Sequence, residues 1–168
     1  MSTTAGVSRR EYLYGTAALL LATTLAGCSV GGRPPTPSPT PDPTDPMLGT
    51  EPDYGTWFEG VGNYDGTHDR RGTDPVSVLV GAKGPLGNFK FAPAAVAVSP
   101  GTTVRFTWSG KGGAHDVVDI DGGFDSRPLT DRAGHVFEHR FDTPGVSRYY
   151  CTPHRGMGMR GAVVVLAD

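Results

Sequence analysis

Near the C-terminus the stretch Tyr150-Cys151-Thr152-Pro153-His154-Arg155-Gly156-Met157-Gly158-Met159 carries a thiol, an imidazole and two thioethers within one short loop. Sulfur donors are soft and imidazole suits several transition metals. Two His and one Cys with a weak axial Met form the ligand set of copper sites that pass single electrons. The same Cys and His types also bind Zn(II), which keeps zinc as a competing metal. The loop holds one imidazole, so a second must come from elsewhere in the chain.

The segments around that loop alternate with period two. Val76–Val80 is one expected strand, and Val96–Val98 is another, ended by the turn Ser99-Pro100-Gly101. Thr103–Trp108 places Val104, Phe106 and Trp108 on one face. His135–Phe141 alternates as well and runs into the turn Asp142-Thr143-Pro144-Gly145; Val146–Cys151 and Ala162–Leu166 complete the set. No stretch sustains a helical repeat. With 25 Gly and 15 Pro in 168 residues, the pattern predicts an all-β sandwich or barrel of short strands.

In such a sandwich the segment Gly112-Gly113-Ala114-His115-Asp116 follows the Trp108 strand and starts beside the Cys151 loop. His115 is therefore the expected second imidazole. His68 is read as a surface residue, and His135 and His139 as strand positions without a metal role.

The N-terminus reads as processing signals. Arg9-Arg10 precede an apolar stretch from Leu13 to Ala26. That stretch is shorter than the roughly 20 apolar residues of a spanning helix and suits the core of an export signal of the twin-arginine type. Leu25-Ala26-Gly27-Cys28 resembles a lipobox, in which the cysteine becomes lipidated. Gly31–Pro46 holds seven of the 15 prolines and no apolar run, as in an extended spacer. The expected organisation is a twin-arginine lipoprotein signal peptide over 1–27, a lipid-anchored disordered linker over 28–50 and a folded domain over 51–168, held at the outer side of the cell membrane. Cys28 and Cys151 are the two cysteines; each has its own chemical task, so no disulfide is expected. The formal net charge is −2 and offers no basic field for nucleic acid.

From Trp57-Phe58-Glu59-Gly60-Val61 through Asn88-Phe89-Lys90-Phe91-Ala92-Pro93, Ser99-Pro100-Gly101, Gly113-Ala114-His115 and Tyr149-Tyr150-Cys151-Thr152-Pro153-His154 to Gly158-Met159, the chain resembles the blue copper proteins, or cupredoxins. Within them it is most similar to the plastocyanin-like group, including the halocyanins of halophilic archaea. The resemblance implies a Greek-key cupredoxin sandwich of about seven or eight strands. It implies one type 1 copper with His115, Cys151 and His154 as equatorial ligands and a methionine as axial ligand. Relatives place that methionine directly before the residue and glycine that open the last strand, here Arg160-Gly161, which selects Met159 over Met157. Relatives commonly carry Asn where this chain has Asp116; the backbone N–H there is expected to reach the thiolate, and a carboxylate would lower the reduction potential unless protonated or paired. By analogy with the family, His154 is the electron port, ringed by Pro153, Met157 and Pro93.

The implied function is a tethered, monomeric one-electron carrier between redox proteins of a membrane electron-transport chain, not an enzyme: five His without a His-X-His pair give no catalytic copper site. A copper carrier or storage protein is the alternative.

Overall fold

The computed structural model describes residues 45–167. The export signal, Cys28 and the spacer up to residue 44 lie outside the described residues. Among the described residues there are nine strands: β1 His68–Asp69, β2 Val76–Gly84, β3 Gly87–Ala92, β4 Ala95–Val98, β5 Thr102–Trp108, β6 Val118–Asp119, β7 Val136–Phe141, β8 Gly145–Tyr150 and β9 Arg160–Val165. One sheet has the order β1-β4-β9-β8-β6 and the other β3-β2-β5-β7. From β3 onward the chain changes sheet at every connection until the β8–β9 hairpin, so the connections arch across a sandwich as in a Greek key. The domain is all-β as the sequence predicts. Two strands, β1 and β6, are two residues long, too short for any period to announce them.

The alternation in β5 does what it predicts. Val104, Phe106 and Trp108 are all essentially buried and pack with Val78, Phe91 and Tyr149 between the sheets. Burying each such side chain is worth about 1.5–3 kcal/mol, which pins the register of β5 against β2 and β7. By contrast β9 is buried almost throughout, because both its faces are covered. Its inner face meets the core. Its outer face, where Ala162 pairs beside Ala95 of β4, is overlaid by Tyr54 and Trp57. Small side chains there leave room for the rings, and the Trp57 indole N–H donates to the Gly161 carbonyl at 3.0 Å.

β3 escaped the period-two reading because Lys90 stands at a buried position in it. His68 is a second correction. It was expected at the surface but is 6% exposed, with its Nε2 3.3 Å from an Asp65 carboxylate oxygen.

Candidate metal centre

β5 ends at Trp108, and the segment after it is anchored at His115. The His115 N–H donates to the Thr130 carbonyl at 2.9 Å and Thr130 returns the bond at 3.1 Å, while the Trp108 indole N–H reaches the His115 carbonyl at 3.2 Å. The ring lies against Gly81 and Gly112. A Cβ at either glycine would come 3.1 Å from His115 Nε2, and both have positive φ, 79° and 85°, so these positions suit glycine alone. His115 Nε2 sits 2.9 Å from the Lys111 carbonyl. A carbonyl can only accept, so Nε2 holds the proton and Nδ1 turns a lone pair inward.

The other donors come from the β8–β9 connection. Tyr150 pairs with Arg160 across the antiparallel hairpin, so the next opposed pair is Cys151 and Met159, both on the inner side. The Cys151 N–H donates to the Met159 carbonyl at 3.1 Å, closing the loop at its neck. Inside it, a 3-10 turn, Arg155–Met157, begins after His154 and ends at Gly158, whose φ of 75° is left-handed. Met159 is fully buried in the same core cluster as Cys151; Met157 is partly exposed on the turn.

His115, Cys151 and His154 converge. Their two Nδ1 atoms are 3.1 Å apart, and Cys151 Sγ lies 3.6 Å from His115 Nδ1 and 3.3 Å from His154 Nδ1. A triangle with those edges has its centre about 1.9 Å from each corner, close to the roughly 2.0–2.3 Å at which imidazole nitrogen and thiolate sulfur bind a small transition metal. Three heteroatoms that close, with at least two lone pairs facing each other, fit a metal better than a hydrogen-bond network. The donor set fits copper.

Burial pushes the Cys151 thiol up to about 12, and burial together with His115 holds His154 below the usual histidine value. In the metal-free site the sulfur therefore keeps its proton at pH 7. The Asp116 N–H faces the Cys151 thiol and helps hold its charge, in line with the expectation for position 116, while the His154 N–H donates to the Cys151 carbonyl at 3.1 Å. The Asp116 carboxylate is buried and paired: it accepts the Thr152 N–H at 2.6 Å and the Thr152 hydroxyl at 2.7 Å.

The copper-binding family model for plastocyanin and azurin matches residues 77–166, more than half of the chain. The chain belongs to the plastocyanin/azurin family of copper-binding proteins. Among its relatives, a halocyanin of Natronomonas pharaonis is 41% identical over 165 residues, covering 95% of this chain and 98% of that protein. A plastocyanin of the fern Dryopteris crassirhizoma is 34% identical over 93 residues, covering 48% of this chain and 91% of that protein. A solved structure of a mutant fern plastocyanin is 30% identical, covers 54% of this chain and all of that one, and superposes with a TM-score of 0.46. Members of this family are electron carriers and not enzymes. This cupredoxin is accordingly a type 1 copper electron-transfer protein.

Several contributors to the centre carried little sequence signal. Phe89 lies with its ring 4.7 Å from that of His154. Thr152 owes its role to Asp116, and Lys90 places its ammonium 3.0 and 3.1 Å from the Met157 and Gly158 carbonyls. Of the three residues expected around His154, Pro153 is exposed and Met157 partly so, but Pro93 is buried and takes no part in the surface. Phe89 stands in its place.

Proposed function

We propose that His115, Cys151 and His154 hold the copper with Met159 as the weak axial ligand, and that the carrier is tethered through a lipid on Cys28 to the outer face of the cell membrane. There it passes single electrons between redox proteins. The convergence of the three donor atoms is the observation that carries the ligand set. Met159 is supported by its opposition to Cys151 across the hairpin and by its burial. The tether rests on the Arg9-Arg10 signal, the Leu25-Ala26-Gly27-Cys28 sequence and the proline-rich spacer.

Two imidazoles, a thiolate and a weak thioether would supply copper with a donor set acceptable to both its Cu(I) and Cu(II) states. The chain's own residues keep those donors still. Trp108 and Thr130 fix the His115 backbone and the Lys111 carbonyl its ring; the Cys151–Met159 neck fixes the sulfur donors; the Asp116 N–H is placed to hold the thiolate charge. Nothing in this frame has to rearrange when the charge at the site changes by one, so the barrier to transfer is small. Among the three, His154 alone is partly exposed. It is the electron port, beside Phe89, Pro153 and Met157, a small apolar face suited to brief encounters.

Voltammetry of the copper-loaded chain in the presence of a copper chelator tests the role. A reversible one-electron wave with copper retained is expected; copper surrendered to the chelator on reduction identifies a copper carrier instead. For the tether, the mature protein is expected in the membrane fraction and Cys28→Ala in the soluble extracytoplasmic fraction. Equal partitioning of both would remove the lipid from the account.

A further inference from the structure

On the outer face of the β8–β9 hairpin, opposite in pleat to Cys151 and Met159, three arginines surround one indole. The guanidinium carbons of Arg148, Arg155 and Arg160 lie 5.6, 5.8 and 5.6 Å from the centre of the Trp57 ring, and that of Arg155 also lies 4.6 Å from the centre of Tyr150. All three line a single open recess of about 550 Å³, with the 53–57 turn as its other wall. Elsewhere among the described residues Arg70, Arg71, Arg105, Arg127 and Arg140 each pair with a carboxylate, Arg132 being the exception. Among the described residues none pairs with Arg148, Arg155 or Arg160. Arg160 donates from Nη2 to the neutral Glu59 carbonyl, and its Nε is buried without an acceptor. Asp53, the one carboxylate in the lining, turns Oδ1 to the Gly55 N–H at 2.8 Å.

A protein of net charge −2 has thus gathered three cations in one concavity, where they repel one another and the aromatic faces and the single Asp53 carboxylate offset only part of the repulsion. We propose that this recess docks a carboxylate-rich face of the redox partner, an inference that rests on the electron-carrier reading and adds the partner's charge. Guanidinium forks bind carboxylates in pairs, and these three come from separate positions, on β8, in the loop and on β9. A space of about 550 Å³ far exceeds one small oxyanion, since a water takes roughly 30 Å³. The placement also suits the function. Arg155 follows His154, Arg160 follows Met159 and Tyr150 precedes Cys151, so carboxylates bound here bring the partner against the backbone of the copper loop. On an otherwise acidic molecule the patch orients the approach and weakens with salt.

The test uses the full chain, metal-free and with Cu(I), and follows the Trp57 indole N–H by nuclear magnetic resonance while adding hexaglutamate, hexalysine or inorganic phosphate. Hexaglutamate is expected to shift the signal, with affinity falling about tenfold in Arg148→Gln/Arg155→Gln and again as salt rises from 20 to 200 mM; hexalysine is expected to do nothing. That double variant spares Arg160, whose bond to Glu59 joins the N-terminal segment to β9, and it retains the visible copper spectrum. Binding that survives the double substitution overturns the proposal, as does phosphate matching hexaglutamate in affinity. Absence of a copper spectrum in the unsubstituted protein defeats the metal reading instead, and leaves peptide binding to the metal-free chain as a separate result.

Discussion

Asp116 and Thr152 are bonded twice, through the Thr152 N–H at 2.6 Å and its hydroxyl at 2.7 Å. Asp116 follows His115 and Thr152 follows Cys151, so the pair clamps the two ligand-bearing segments one residue beyond each donor. The carboxylate sits in a buried position next to a thiol whose proton must leave when metal enters.

Replacing Asp116 by Asn keeps an acceptor for the Thr152 N–H and removes a negative charge that favours Cu(II). The reduction potential is expected to rise by about 50–100 mV, on the order of 1–2 kcal/mol. Asp116→Ala breaks both bonds to Thr152, whose exposed donors turn to water, and should cost about 1–2 kcal/mol of metal-free stability. Voltammetry and thermal melts read the two effects. A lower potential in the Asn variant would contradict the charge argument.

Met159→Leu removes the thioether and keeps the volume, so the fold should lose less than about 1.5 kcal/mol. Copper is retained and the potential rises, because a weak donor that favours Cu(II) is gone. Met157→Leu, on the partly exposed turn, is expected to leave the potential where it was. The reverse pattern would move the axial role to Met157.

Lys90 reaches across from β3 to hold the Met157 and Gly158 carbonyls, and a Cβ on Gly158 would press on its ammonium and on the Gly60 carbonyl. Lys90→Met keeps the apolar stem and loses the charge and both bonds. The expected results are about 1–3 kcal/mol less stability and a lower potential, since a cation near the site favours Cu(I). An unchanged potential with lost stability would make Lys90 a purely structural brace.

Protons compete with copper for this site. With Cys151 pushed up to about 12, uptake at pH 8 should release one proton, and affinity should rise about tenfold per pH unit between 7 and 10; calorimetry in buffers of different ionisation enthalpy counts the proton. Burial holds both His154 and His139 below the usual histidine value of about 6.5. Below about pH 6.5 the unfolded chain therefore binds more protons than the folded one, and the metal-free protein should lose stability as pH falls through that point. Melting temperatures that rise on acidification from pH 6.5 would reverse the sign.

Strand alternation and donor chemistry made much of this legible from residue types. Val104, Phe106 and Trp108 announced β5, and His115, Cys151 and His154 stood out as donors before any geometry. What stayed hidden was polar or aperiodic. Lys90 interrupts the alternation of β3 because its charge serves the ligand loop. His68 is buried beside Asp65, a pairing that sequence spacing alone does not reveal. The aromatic segment from Tyr54 to Tyr64, with Phe58 stacked on Tyr64 at 3.9 Å, has no period because it packs over β4 and β9 as irregular chain. The arginines around Trp57 are scattered in sequence, and the Tyr150–Arg160 register brings them together.

The most direct test is the visible and electron paramagnetic resonance spectrum of the Cu(II)-loaded protein beside that of Cys151→Ser. An intense thiolate-to-copper band with narrow copper hyperfine splitting is predicted for the unsubstituted chain, and loss of the band for Cys151→Ser. A weak band with wide splitting, or a spectrum that survives the substitution, would contradict a copper centre built on Cys151.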